Sequence, residues 1–370
     1  MEHTQVKPKR EMLNYINVFR GLAILLIVAG HTMQFGNSGT WINNIAFEVL
    51  TGGTALFIFI SGFLFQHLSE NFEYKTYLKK KWTNVILPYI ITAIPGIILC
   101  FTMPVEYGNP FDGLNPFLQI GAFLTTGRVH NVPTWYIPMI VIFFFLADLF
   151  LILEKKKVLY KILPVLFLLT IFIPRMSIEP ENLVDMGYVA KYVEYIKYIL
   201  NGFVHFSSMY VLGMYFSAYK DRVEACYQKR WMLIGLMLLT SGIDIYLLHR
   251  FGLSNGTISK IFLTLIVLGY LKHYDEVIKN CNWFNKTADI VAKYSFSIFF
   301  VHWYVFFWFN QIFKTEKVIS VNSLSEIFIA SGLVVLRFTV VTLVSLLILH
   351  VVKQILLKLK IKNTRAVIGV

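Results

Sequence analysis

The chain has 370 residues, of which 56% are hydrophobic, 16% aromatic and only 15% charged. Soluble domains carry about 25% charged residues, so this composition excludes an ordinary soluble enzyme and points to a polytopic membrane protein. A net charge of +13 raises nucleic acid as a partner, but the placement of that charge along the chain fits a membrane topology signal, with no nucleic acid.

Ten apolar stretches predict ten membrane-spanning helices, at about 14–35, 43–66, 85–103, 133–152, 158–174, 199–219, 231–249, 257–272, 290–313 and 333–357. With the N-terminus inside, most of the basic residues fall on cytoplasmic segments. These hold Lys7, Lys9 and Arg10; Lys75 and Lys79 to Lys81; Lys155 to Lys157 and Lys161; Lys220, Arg222, Lys229 and Arg230; Lys272, Lys279, Lys286 and Lys293; and Lys353, Lys358, Lys360, Lys362 and Arg365. That is the positive-inside signature. The expected fold is an all-α, polytopic membrane helical bundle, N-in and C-in. It forms one integral membrane domain over 1–370 with short cytoplasmic tails. The first stretch is not a cleaved signal: it is long, many others follow it, and no small-residue cleavage site follows His31.

The first span, LNYINVFRGLAILLIVAGHT, holds Arg20 and His31 with ten residues between them. Eleven steps of about 100° bring both side chains to within roughly 20° of one face, and the rise between them is about 16 Å. Ionisable groups are costly inside a bilayer and are functional candidates. A neutral imidazole at His31 serves as general base or nucleophile; the competing role is packing. A guanidinium at Arg20 holds a phosphate or carboxylate bidentately; the competing role is snorkelling to lipid headgroups. Gly21 beside it permits close approach.

The second span contains TGGTALFIFISGFLF, where Gly52, Gly53, Ser61 and Gly62 allow close helix contact. YLKKKWTNVILPY follows. Its Lys79, Lys80 and Lys81 either anchor topology or hold an anionic donor such as a nucleotide phosphate. The outer loop 104–132 carries Pro104, Gly108, Pro110, Gly113 and Pro116, and its apolar stretch Pro116–Thr126 suits a re-entrant or interfacial segment. PTWYIP opens the fourth span, placing Trp135 and Tyr136 at the outer interface as an aromatic belt or a sugar platform. Glu179, Glu181, Asp185 and Glu194 in the next outer loop read as a solvated surface.

His302 lies in KYSFSIFFVHWYVFF, nine residues beyond Lys293. That is about 13 Å of helix, close to the depth of His31. Two histidines at one depth suggest a shared cavity; an interhelical hydrogen bond is the competing role. Glu48, Asp148, His205, Asp244, Arg337 and His350 are further ionisable residues of the spans and are expected to be buried, with Asp148 and Arg337 a candidate pair. The basic, amphipathic KQILLKLKIKNTR is expected to lie along the anionic inner surface. Cys100, Cys226 and Cys281 are scattered without metal-ligand spacing. No HExxH, GxSxG, P-loop or GxGxxG pattern occurs, so hydrolase, ATPase and dinucleotide chemistry lack support.

Taken together, these fragments resemble the acyltransferase-3 family of integral membrane acyltransferases. The resemblance rests on Arg20-Gly21 followed by His31, on FIFISGF with Ser61, Gly62 and Phe63, and on KKKWTNVILPY. It rests also on Trp135-Tyr136-Ile137 and on the run from Tyr294 through Ser295 and Ser297 to His302. Many members carry Arg-x-x-Arg in the basic stretch, where this chain reads Lys81-Trp82-Thr83-Asn84; lysine keeps the charge but loses the bidentate fork. The resemblance implies an O-acyltransferase in a bacterial plasma membrane. Its donor would be a cytoplasmic acyl-CoA, usually acetyl-CoA, and its acceptor a hydroxyl of a cell-surface polysaccharide or a lipid-linked precursor. In that scheme Arg20 and Lys79 to Lys81 bind the donor phosphates, and His31 is base or acyl carrier. His302 and Ser61 line the site or polarise the thioester carbonyl, and Trp135 and Tyr136 position the sugar. No permanently bound cofactor and no metal are expected. The alternatives are a translocator of polysaccharide or lipid-linked sugar without chemistry, and an acyltransferase acting on a lipid or small metabolite.

Overall fold

A computed structural model describes residues 13–33, 40–103, 109–128, 134–178, 183, 185–313, 321 and 323–370. Lys7, Lys9, Arg10, Pro104, Gly108, Pro133, Glu179 and Glu181, singled out above, lie outside these residues. The described chain is helical throughout, without a strand. In order, the helices are α1 (Asn14–Thr32), α2 (Trp41–Leu50), α3 (Gly53–His67), α4 (Tyr74–Lys81), a π turn (Trp82–Ile86), α5 (Leu87–Thr102), α6 (Pro116–Thr126), α7 (Tyr136–Phe145) and α8 (Ala147–Lys155). There follow α9 (Leu163–Phe172), α10 (Tyr188–Ala218), α11 (Arg222–Gln228), α12 (Arg230–Phe251), α13 (Thr257–His273), α14 (Asp275–Asn280), α15 (Asn282–Phe313), α16 (Leu324–Lys358) and α17 (Arg365–Ile368).

This is a polytopic all-α membrane bundle. Among the described residues, six helical stretches are long and apolar enough to cross a bilayer, or seven if α7 and α8, bent by 47°, form one span. Each of the ten expected spans coincides with a helix or a broken pair. Those on α9, α10 and α13 fall short of the same length and apolarity measure.

Local sequence explains the breaks. Gly52 adopts φ +89°, so the second expected span splits into α2 and α3. Pro88 lacks the N–H that would pair with Asn84, and the ladder relaxes into the π turn Trp82–Ile86 just before it. The apolar stretch Pro116–Thr126 is the helix α6, started by Asn115, whose Oδ1 accepts from Phe117 N at 2.9 Å, and stopped by left-handed Gly127. At the start of α16, Ser323 and Glu326 close a capping box.

The central helices are α1 and α15, each with 61% of its apolar window enclosed by protein, against 11% for peripheral α12. The most extensive interface joins α3 and α10. It depends on two glycines: a methyl at Gly62 would fall 2.0 Å from Tyr210 O, and one at Gly213 2.0 Å from Phe59 O. Lipid offers no hydrophobic drive for helix association, so this backbone approach gives the pair its packing energy.

Three expectations are corrected. The basic tail does not lie flat along the surface. Its first half completes α16, and residues 364–370 turn back, burying Thr364, Ile368 and Val370 as α17 packs on α5 and the π turn. Asp148 and His350 are exposed on the bundle surface, whereas Glu48, His205, Asp244 and Arg337 are buried. No ion pair joins Asp148 to Arg337; Asp148 sits on the exposed face of α8.

Gly62→Ala is expected to lower thermal stability in detergent by about 1–3 kcal/mol, because the added methyl forces α3 from α10. Gly235→Ala, with nothing near its added methyl, is expected to be neutral or stabilising. Melting of the two purified variants by fluorescence-detected size exclusion checks the contrast.

Candidate active site

The packing of α1 on α15 builds the site. Gly21 lies on this contact, where a methyl would stand in ordinary van der Waals contact with α15, 3.4 Å from Ala288 O and 3.6 Å from Ala292 N. About three turns further along, His31 and His302 meet. His31 Nδ1 and His302 Nε2 lie 2.8 Å apart, with the rings stacked at 5.1 Å and 12°. His302 Nδ1 lies 2.8 Å from Ile298 O, one turn back on its own helix.

These contacts fix the tautomers of two neutral imidazoles. A carbonyl only accepts, so His302 Nδ1 carries a proton and its Nε2 is a lone pair. That lone pair takes the Nδ1 proton of His31. His31 Nε2 is then left with a free lone pair: a base or a nucleophile. His302 is fully buried and His31 partly accessible. Trp303 stands edge-on to His31 at 5.7 Å, and Phe299 lies 6.3 Å from His302. Trp303 Nε1 is a buried donor without a hydrogen-bond partner among the described residues.

Ser61 and Tyr136 sit nearby. Ser61 Oγ donates to Phe57 O at 2.9 Å and lies 3.3 Å from Tyr136 Oη, while the Tyr136 ring meets Phe299 edge-on at 5.4 Å. With its proton spent on Phe57 O, Ser61 accepts from Tyr136. Trp135 is buried, with Phe206 stacked at 6.3 Å and the Arg175 guanidinium 4.1 Å from its ring centre.

The end of α1 that begins at Asn14 is cationic. Arg20 Nη2 donates to Asn17 Oδ1 at 3.1 Å, and Asn17 Nδ2 donates to Asp289 Oδ1. Arg20 Nε is buried without a partner among the described residues, a donor left over for an anion. Lys81 projects over the rings of Phe144 at 4.5 Å and Tyr77 at 5.1 Å. Lys79 and Lys81 line a groove of about 330 Å³ with Leu78, Trp82, Ile86 and Phe144. Lys79 and Lys80 are exposed. The returning tail brings Arg365 within electrostatic range of both Arg20 and Lys81.

A family model for the acyltransferase domain matches residues 13–350. The chain belongs to the acyltransferase-3 family. It is a membrane acyltransferase. No curated protein and no solved structure matches it.

In this acyltransferase the residues expected at the site divide into groups. His31 and His302 are in contact, and Ser61 and Tyr136 form a second polar pair beside them. Arg20 and Lys81 share one end of the bundle, with Lys79 and Lys80 on its surface. Trp135 packs at the Arg175 side. Three residues escaped the sequence reading. Arg365 was hidden in a tail that resembles a lipid-binding helix. Arg175 was hidden in a loop, and Trp303 in an aromatic run. The one available signal was the His302-Trp303 adjacency.

Behind the dyad lies a buried polar set. Glu48 Oε1 accepts from Lys260 Nζ at 3.1 Å, Ser241 Oγ at 2.9 Å and Ser259 Oγ at 2.5 Å. Lys260 also donates to the carbonyl of Glu48, and its stem fills the space beside Gly52. This pair clamps the break between α2 and α3, whose Leu50 and Thr51 rest on Gly30, next to His31. Removing one partner strands a buried charge. Lys260→Met is expected to cost about 3–5 kcal/mol, and the double variant Lys260→Met/Glu48→Gln to recover much of it. A double-mutant cycle of melting curves measures both.

Proposed function

We propose that this membrane acyltransferase transfers an acyl group, acetyl in the simplest case, from cytoplasmic acyl-CoA. The acceptor is a hydroxyl of a cell-surface polysaccharide or its lipid-linked precursor, at a bacterial plasma membrane. The observation that carries this reading is the hydrogen bond from His31 to His302, which leaves His31 Nε2 as a free base. The donor's phosphates lie at the cationic end, near Arg20, Lys81 and the surface pair Lys79 and Lys80. Its pantetheine arm runs the roughly 16 Å of α1 that separates Arg20 from His31.

The acceptor hydroxyl gives its proton to His31 Nε2 as its oxygen attacks the thioester carbonyl carbon. A C–O bond forms, the C–S bond breaks, and the CoA thiolate takes the proton back from the imidazolium. His302 Nε2, accepting from His31 Nδ1–H, steadies that imidazolium. Trp303 Nε1 is the unpaired donor available to the developing oxyanion.

His31→Ala is expected to abolish transfer while the protein remains folded in the membrane. His302→Phe leaves the base without its orienting acceptor and is expected to lower kcat about 10²-fold or more, with the KM for acyl-CoA unchanged. Mass spectrometry of acylated product in membranes from each strain reads both, and full activity of His31→Ala would overturn the proposal. Arg20→Ala is expected to raise the KM for acyl-CoA about tenfold with little change in kcat, as loss of a charge-assisted contact to phosphate requires.

A further inference from the structure

We infer that the acceptor carries a negative charge close to the acylated hydroxyl, and that Arg175 is the residue that binds it. This rests on the acyl-transfer reading above and narrows its substrate class.

Arg175 follows α9 on a loop held to a single face of α10. His205 Nδ1 donates to Ile173 O at 2.8 Å, Asn201 Nδ2 to Pro174 O at 3.2 Å, and Asn201 Oδ1 accepts from Met176 N at 2.8 Å. Tyr198 Oη accepts from Arg175 Nη2 at 2.5 Å. Tyr198, Asn201 and His205 are spaced by three and four residues, so one stripe of the helix holds four consecutive loop residues. The guanidinium also lies over Trp135, 4.1 Å from its ring centre, and that indole is stacked with Phe206 at 6.3 Å. A long, rotamer-rich side chain is therefore fixed before any ligand arrives, which removes much of the entropic cost of binding.

A cation so firmly placed usually answers a carboxylate of its own protein. Among the described residues Arg175 has none: its partners are a phenol and aromatic faces. It stays exposed, and its charge reaches both His31 and His205. It also stands at the opposite end of the site from Arg20, because the chain of contacts from Trp135 passes through the adjacent Tyr136 and Phe299 to His302. The donor's phosphates are accounted for at the Arg20 end. The anion that Arg175 awaits therefore belongs to the second substrate. A carboxylate on a sugar and a phosphate linking a sugar to lipid share this chemistry, and a guanidinium binds either bidentately.

The test separates binding from transfer. Purified wild type, Arg175→Ala and Arg175→Lys are titrated with octyl glucuronide, octyl glucoside and a short prenyl phosphate, with tryptophan fluorescence as the binding readout. The same three probes are then offered as acceptors, or for the phosphate as a competitor, in an acetyl-CoA transfer assay. Wild type is expected to bind at least one anionic probe about tenfold more tightly than the neutral glucoside. Arg175→Ala should lose that preference while keeping its affinity for the glucoside, and Arg175→Lys should regain part of it. Preference for the glucuronide identifies a sugar carboxylate, and preference for the prenyl phosphate a lipid-linked acceptor. Equal affinity of wild type for charged and neutral probes overturns the inference, as does an anionic preference that survives in Arg175→Ala. If the anionic preference is present but no probe and no donor yields acylated product, the failure lies with the acyl-transfer reading and not with the anion site.

Discussion

The hydrogen bond between His31 and His302 is the constraint on which the rest of the site depends. It forms only because α1 and α15 run close together, with Gly21 packed against Ala288 and Ala292. It has one direction only, because His302 has already given its other nitrogen to Ile298 O. Two neutral imidazoles in series thus form a hydrogen-bond chain with fixed polarity. The ring nitrogen left over is on His31, the accessible member. A single buried histidine bonded to a backbone carbonyl would leave the same lone pair. The second imidazole adds an acceptor whose hydrogen bond strengthens when the first becomes charged, and it does so without placing a permanent ion at that depth, where a lone charge is costly.

Holding such a pair in a bilayer requires packing that the hydrophobic effect does not supply. The bundle solves this with backbone contact at Gly62 and Gly213 and with bonded buried polar clusters. The Glu48–Lys260 pair illustrates the second device. Its charges cancel, Ser241 and Ser259 complete the carboxylate's bonds, and the lysine stem fills the space left by Gly52. A helix break that would otherwise expose unpaired backbone next to His31 is held from both sides.

Much of this was legible in the sequence. Helical period alone places Arg20 and His31 on one face, and rise per residue alone brings His302 to the same depth. The apolar stretch after Asn115, set apart in the sequence as a segment of its own, is a helix over the same residues, Pro116–Thr126. What the sequence does not carry is which helices touch: a depth is one coordinate, and the contact of α1 with α15 is set by surface shape along both. The tail fails for a related reason. Alternating lysines and aliphatics after Leu349 suit a lipid surface, yet Ile368 and Val370 find a drier site against α5 and the π turn, and Arg365 goes with them. The π turn itself follows from Pro88, but it falls in the register where relatives carry Arg-x-x-Arg. Here the second arginine's position is Asn84, and the tail's Arg365 stands near the same cations.

The distribution of charge around the dyad has a logic of its own. Several cations gather at one end: Arg20, Lys81 and Arg365, with Lys79 and Lys80 on the surface. At the other end one arginine is held rigidly by an indole and a phenol. A donor such as acyl-CoA carries several phosphate charges on a flexible body, and flexible lysines at a surface groove suit it, because each needs only proximity and no fixed angle. A sugar acceptor brings at most one charge near the reacting hydroxyl and must be oriented to within a fraction of an ångström for attack. For that substrate a planar fork, fixed in advance by Trp135 and Tyr198, is worth more than additional charge. Between the two ends the dyad is neutral, so neither anion is drawn onto the base. In the proposed reaction each is held at its own end while a neutral thioester and a neutral hydroxyl meet at His31.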